Sequence, residues 1–219
     1  MDRRALSLLL VAVVALASVV NATVFAYRWL SGTVIISPAT AAVGAACTGF
    51  YSAADQSGIT QFLPKLGTNY DAQTYGGNKI TVTPGKVVCQ WTDDNKNYYL
   101  YESIEVSIPV TVGSWYIQDF YAFGYNGTTG SPTVYVYFRV EDTAEYVTTP
   151  KLIIWKGTTT KVELNLLTPG AMTSAISLSP GEALRLDLYF NASSTITTVT
   201  ATFRVGVYVT QEPNESPSP

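Results

Sequence analysis

The sequence predicts an all-β protein, a two-sheet jelly-roll-like sandwich preceded by an N-terminal signal segment and an extended strand. Three observations carry this. From Thr23 onward nearly every ordered stretch alternates apolar and polar residues with period two. No segment of about 12 or more residues holds an apolar stripe at helical spacing. Turn residues punctuate the alternation at Thr83-Pro84-Gly85, Asn126-Gly127-Thr128-Thr129-Gly130, Lys156-Gly157-Thr158-Thr159-Thr160 and Ser179-Pro180-Gly181-Glu182, as hairpins and Greek-key corners require. Eight to ten short strands, each with one buried face, make two packed sheets.

In chain order, Met1-Asp-Arg-Arg supplies a positive start, and Ala5 to Val20 follows as an apolar run broken by Ser7 and Ser18. That run is shorter than the roughly 20 residues of a membrane span. Val20-Asn21-Ala22 offers a small-residue cleavage site, so residues 1–22 read as a secretory signal peptide. The mature protein is then expected outside the cell or on its surface, touching a membrane only through this segment before cleavage. The alternative is one helix continuing through Val24-Phe25-Ala26-Tyr27, held in a membrane or a filament core.

Residues 23–37, Thr-Val-Phe-Ala-Tyr-Arg-Trp-Leu-Ser-Gly-Thr-Val-Ile-Ile-Ser, have strong β propensity. Around Val34, Ile35 and Ile36 both faces are apolar, so this strand must be covered on both sides. It is either an interior strand of its own sandwich or a donor strand that completes the sheet of the next subunit, with Val24, Phe25, Tyr27, Trp29, Val34, Ile35 and Ile36 as its candidate contacts.

The sandwich domain is placed at 38–210. Its first part, 39–78, is rich in Ala, Gly, Ser, Thr and Tyr and reads as irregular. So long an excursion is functional or pinned. Cys47 and Cys89 are the only cysteines, and in an oxidising compartment a single disulfide between them supplies the pin; two buried free thiols are the alternative. Strands are predicted at 79–83, 98–101, 103–110, 116–123, 151–155 and 161–166. The clearest are Thr133–Val140, with Val134, Val136, Phe138 and Val140 inward, Ala183–Phe190, with Leu184, Leu186, Leu188 and Phe190 inward, and Thr202–Val209, with Phe203, Val205, Val207 and Val209 inward. Tyr137 and Asp187 then belong to outer faces. The polar, Pro-rich tail 211–219 is expected to be disordered.

Composition narrows the chemistry. The chain has 219 residues and no His, which removes Ser-His-Asp and Cys-His nucleophile systems and His-based zinc sites. Net charge is −3 with 13 scattered basic residues, too few together to neutralise a row of phosphates, so nucleic acid is not expected as a partner. Charged residues are 13%, about half the usual 25%, which suits a secreted surface of Thr, Ser and Tyr.

Three constellations carry candidate chemistry. Asp93-Asp94-Asn95-Lys96-Asn97 places oxygens at positions 1, 3 and 5 of a calcium loop, but Tyr98 stands where Gly is needed and Ile104 where the closing Glu belongs; a polar hairpin tip is the better reading. Glu102 with Glu105, and Glu141 with Asp142 and Glu145, resemble a glycosidase pair only in composition. The aromatic runs Tyr98–Tyr101 and Trp115–Tyr121 suit strand packing or subunit contact as well as sugar stacking. No nucleophile, base and orienting group occur together, so no enzymatic activity, cofactor or metal is expected. Sequons lie at Asn21, Asn126, Asn191 and Asn214; the first would leave with the signal, and Asn126 is expected on an exposed loop tip.

Four motifs resemble the TasA/camelysin family of biofilm fibre subunits, and within it the archaeal bundling pili. They are Thr23-Val24-Phe25-Ala26-Tyr27 after the signal, Ser31-Gly32-Thr33-Val34-Ile35-Ile36 (with Ile35 where the family has Asp), Ser179-Pro180-Gly181-Glu182 before an alternating strand, and the closing strand Phe203–Gln211. Residues 39–110 match nothing in that family. The resemblance implies a jelly-roll subunit that polymerises with itself outside the cell by donor-strand complementation, with lateral bundling of the filaments. Arg3-Arg4-Ala5-Leu6 and the run ending Tyr27-Arg28-Trp29-Leu30-Ser31-Gly32 are also similar to archaeal type IV pilins, which implies a retained N-terminal helix. Asn21 and Thr23 inside that helix, and the β domain, fit the first family better. A secreted carbohydrate-binding sandwich is the competitor from a different class.

Overall fold

The computed structural model describes residues 26–30, 47–69, 74–75, 78–79, 81–110, 112–127, 129–144, 147–192, 199–201 and 203–215. Residues 1–22, expected to be a signal segment, and Val24, Phe25, Val34, Ile35 and Ile36 lie outside them. The strands are β1 (Ala26–Leu30), β2 (Cys47–Tyr51), β3 (Thr74–Tyr75), β4 (Asn78–Lys79), β5 (Thr81–Pro84), β6 (Val87–Asp93), β7 (Lys96–Tyr101), β8 (Ser103–Val110), β9 (Gly113–Asn126), β10 (Val134–Asp142), β11 (Thr148–Lys156), β12 (Thr160–Asn165), β13 (Ile176–Leu178), β14 (Ala183–Ala192), β15 (Val199–Ala201) and β16 (Arg204–Thr210). The described chain is thus nearly all β, with antiparallel sheets stacked as a jelly-roll-like sandwich.

The first sheet runs β13-β10-β16-β1-β8-β15, with β5 also paired to β8. The second runs β12-β11-β14-β9-β2-β7-β6, and its pairings are all antiparallel. Their inner faces share one core. Val134, Val136, Phe138, Val205 and Val207 from the first sheet meet Phe50, Phe123, Leu152, Ile154, Leu184 and Leu186 from the second, all 0% exposed. Phe123 and Phe138 meet edge to face across the sandwich at 6.1 Å, and Phe50 and Phe123, neighbours within the second sheet, do so at 5.1 Å.

The predicted turns form for local reasons. In the β6–β7 hairpin, Asp94 and Asn95 both take positive φ, 47° and 59°, between paired Asp93 and Lys96. This is the type I′ geometry that matches strand twist, so the candidate calcium loop is a hairpin tip. At Ser179–Glu182, Glu182 N–H donates to Ser179 O at 3.0 Å, and Gly181 has φ 82°. Pro at the second position and Gly at the third are what a type II turn needs. The Glu182 carboxylate closes the turn, accepting from Ser179 N at 2.7 Å and from Lys156 Nζ at 2.7 Å.

The structure corrects four expectations. The irregular stretch contains β2, an interior strand of the second sheet. The rest of that stretch, residues 52–69, folds over the outer face of the same sheet around a 3-10 turn at Ser57–Gln61, making a second apolar cluster of Tyr51, Ile59, Leu63, Tyr98, Leu100 and Ala122. This cover explains why β9 alternates in its first half and is buried on both faces from Phe120 to Tyr125. Gly124 lies directly beneath it, and a Cβ there would stand 2.8 Å from Leu63. Asp187, expected to face solvent, is 0% exposed. Tyr137 is 4% exposed because the tail covers it. As far as Glu215 that tail is a held turn, with Tyr137 OH donating to Pro213 O at 3.0 Å and Thr210 Oγ1 to Glu215 Oε2 at 3.1 Å.

Candidate assembly site

β16 sets Val205, Val207 and Val209 toward the core and Arg204, Gly206 and Tyr208 on its other face, which is itself buried at Gly206 and Tyr208. On one side it pairs with β10, Phe138 opposite Val207 and Arg139 opposite Gly206. Outside this pairing, Tyr208 OH donates to Glu141 Oε1 at 2.8 Å, and Arg204 Nε lies 2.8 Å from Asp142 Oδ2. Two of the candidate carboxylates are therefore engaged in strand-to-strand contacts. Glu105 is exposed on β8, and Glu145 is outside the described residues.

The other side of β16 carries β1. The register is antiparallel, with Ala26 opposite Val209, Tyr27 opposite Tyr208, Arg28 opposite Val207, Trp29 opposite Gly206 and Leu30 opposite Val205. On its far edge β1 pairs with β8 in parallel, Trp29 with Ser103 and Leu30 with Ile104, the one parallel pairing among the described strands. Among the described strands, β5 and β15 pair only with β8. Without β1 the first sheet would therefore fall into two pieces, β13-β10-β16 and β5-β8-β15. The lips of the gap are apolar on the core side: Val205, Val207 and Ile104 are 0% exposed, and Val209 and Val106 nearly so.

A second polar assembly lies on the outer face of the second sheet, where the β14–β9 register shifts between Leu186 and Leu188. Here Asp119 takes φ 55°, a left-handed conformation that Asp tolerates better than most residues. The bulge frees the Asp119 amide from the ladder, and Asp187 Oδ1 accepts it at 2.7 Å. Asp187 also accepts Tyr116 OH at 2.5 Å and Arg185 Nε and Nη2, both at 3.0 Å. The Arg185 guanidinium sits 5.0 Å from the Trp155 ring centroid, a cation–π contact. The Asp119 carboxylate in turn accepts Gly67 N at 2.6 Å and Thr68 Oγ1 at 2.6 Å, which anchors the end of the covering loop. Burial of the hydroxyl, followed by its bond to Asp187, raises Tyr116 above the ordinary tyrosine pKa. Burial and the nearby Asp119 charge raise Tyr51 further. With every acceptor engaged, this group locks the fold rather than offering a reactive centre. The sequence hid it, because Asp187 alternates with Leu186 and Leu188 as any outward residue would.

Of the candidate modification sites, Asn126 ends β9 half-buried, and the exposed loop tip is at Thr129–Gly130. Asn191 lies within β14, its Nδ2 donating to Thr149 Oγ1 at 2.7 Å and its Oδ1 accepting Tyr189 OH at 3.1 Å. Asn214 is exposed. Since an N-linked glycan attaches at Nδ2, glycopeptide mapping of the folded protein is expected to find sugar on Asn214 and a bare amide at Asn191. Sugar at Asn191 would contradict this. Cys89 is disulfide-bonded and the sequence leaves Cys47, on β2, as its only possible intrachain partner. Among the described residues no group of three His, Cys, Asp or Glu is placed to hold a metal ion.

No family model matches the chain, and no curated protein matches it either.

Proposed function

We propose that this chain is a secreted structural subunit of an extracellular filament, of the biofilm or bundling-pilus kind, that polymerises by donor-strand complementation. The observation that carries this is the position of β1: among the described strands, this short strand near the N-terminus alone bridges two parts of the first sheet. A bridge supplied by a chain terminus can come from a second copy without altering the rest of the subunit. The strand 23–37 of one copy then enters between β16 and β8 of the next, where ladder hydrogen bonds supply affinity and alternate side chains supply register. An unfilled gap would expose two strand edges and an apolar groove, an aggregation hazard that exchange removes.

The motif resemblance supports the same reading. Ser179–Glu182 is a closed turn leading into β14, and Phe203–Gln211 contains the closing strand β16 that forms one lip of the gap. The strand conformation of Ala26–Leu30 also favours this reading over a pilin helix running through Leu30. The partner is then a second copy of the chain, and the outer faces remain for lateral bundling. The test is to delete residues 23–36 from the mature protein and to add them back as a peptide. Monomers that fold, do not polymerise and bind the peptide are expected; filaments that assemble normally without the segment would overturn the proposal.

A further inference from the structure

The two edges of the second sheet are not alike. Among the described strands that sheet ends at β12 on one side and at β6 on the other. β12 carries Lys161 and Glu163, and the Glu163 carboxylate binds both Lys161 Nζ at 2.5 Å and Lys151 Nζ at 2.8 Å. Charges of this kind discourage an edge from pairing with another chain. β6 lacks them. From Val87 to Thr92 it reads Val-Val-Cys-Gln-Trp-Thr, with no charged residue, Pro or Gly, and Val87, Gln90 and Thr92 are exposed. Its one irregularity is the bulge between Val87 and Cys89.

The free backbone groups of this edge follow from a side chain on the far side of β7. Gln90 lies opposite Tyr99, and Gln56 engages both backbone groups of Tyr99. Tyr99 N–H donates to Gln56 Oε1 at 2.6 Å, and Gln56 Nε2 donates to Tyr99 O at 3.2 Å. Tyr99 thus turns its backbone groups away from β6, which makes Gln90 and Tyr99 a non-hydrogen-bonded pair. The N–H and C=O of Gln90 then point out of the sheet, and by the alternation of an antiparallel ladder so do those of Thr92. A further strand can take them up.

We propose that β6 pairs antiparallel with β6 of a second copy of this chain, about a twofold axis at Gln90, so that two second sheets become one. Charge complementarity selects both the partner and the register. Outward-pointing residues must meet outward-pointing residues, and three alignments near the middle of the strand allow it. Centring on Cys89 sets Lys86 against Thr92 and gains no ion pair. Centring on Trp91 sets Lys86 against Lys96, a like-charge pair. Centring on Gln90 sets Lys86 of each copy against Asp94 of the other, twice by symmetry, with Val88 against Thr92 and Cys89 against Trp91. Opposite charges directly across a strand pair stabilise it and like charges destabilise it. Lys86 and Asp94 are both exposed in the single chain. The contact closes on itself, as a twofold interface does. It lies on the second sheet, whereas donor-strand exchange involves the first, so the two stand or fall separately.

The test introduces one cysteine at a time into the mature chain and follows covalent dimers at low micromolar concentration on non-reducing gels, with peptide mapping of the new bridge. Across a hydrogen-bonded pair the Cα atoms are about 5.5 Å apart, within the range that a disulfide spans. Gln90→Cys is therefore expected to cross-link through position 90 of both copies. Thr92→Cys lies on the same edge and is also exposed, but its two copies would be four residues apart along the ladder, about 13 Å. It is expected to stay uncross-linked. In the Gln90→Cys background, Lys86→Glu is expected to slow cross-linking about tenfold, because it turns two attractions into repulsions. Adding Asp94→Asn, which suits the positive φ of the hairpin tip, is expected to recover part of the rate. No cross-link from Gln90→Cys, equal rates for Gln90→Cys and Thr92→Cys, or a rate indifferent to Lys86→Glu would overturn the proposal.

Discussion

Replacing Asp187 with alanine is expected to lower stability by about 3 to 5 kcal/mol, the range for removing one partner of a buried charged pair. Asp187 is fully buried and accepts four hydrogen bonds, from Tyr116 OH, the Asp119 amide, and Arg185 Nε and Nη2. Alanine leaves all four donors without that acceptor. The Asp119 amide suffers most, because the bulge has already taken it out of the ladder and water reaches it poorly. The damage would spread to the loop: Asp119 holds Gly67 and Thr68, so an untethered bulge loosens the cover over Leu63 and Ala122. Chemical denaturation should show the loss as a shifted midpoint. A double variant, Asp187→Leu with Arg185→Met, should recover part of it, since removing both charges costs less than stranding one. A single variant within 1 kcal/mol of wild type would show that the network contributes little.

The fold class, nine of the strands and the inward faces of β10, β14 and β16 were legible in the sequence because one face of each is apolar and the other more polar, even where, as at Tyr137, Asp187 and Tyr208, the other face is buried too. Alternation reports that asymmetry and nothing else. It fails where that asymmetry is lost. β2 reads Cys-Thr-Gly-Phe-Tyr, with no alternation, because it lies in the middle of a sheet whose outer side is roofed by 52–69. It fails also at Asp187, whose outward position is filled by a network built from residues 67, 68, 116, 119 and 185, contacts that no local pattern encodes. Within the N-terminal segment, Ala26–Leu30 was recognisable as a strand. Its place between β16 and β8, and the parallel pairing to β8, depend on the path of the whole chain.

Breaking the disulfide at Cys89 is expected to cost about 4 kcal/mol, from the loop-closure entropy that a bridge to Cys47 removes from the unfolded chain. For a domain of this size that corresponds to a fall in melting temperature of roughly 10 °C. The placement of the two cysteines gives the effect a direction. Cys47 is on β2 and Cys89 on β6, the two strands that flank β7 in the second sheet, and β7 is followed directly by β8 of the first sheet. A bridge there would hold β6, the edge strand, to the interior of its sheet at the point where the strand between them departs. The closed loop contains all of 52–69, and Cys89, like Phe62, Leu66 and Trp91, packs against the covering cluster. Reduction should therefore open the cover and β6 before the sandwich, and limited proteolysis of reduced protein should cut first within 52–69 or at the β6–β7 hairpin, with the strands β10, β14 and β16 still protected. The measurement pairs mass spectrometry with calorimetry: native protein should lack alkylatable thiols, and Cys89→Ala should melt about 10 °C lower. Two thiols that react in the native state, or a variant that melts with the wild type, would remove the bridge from the account of stability.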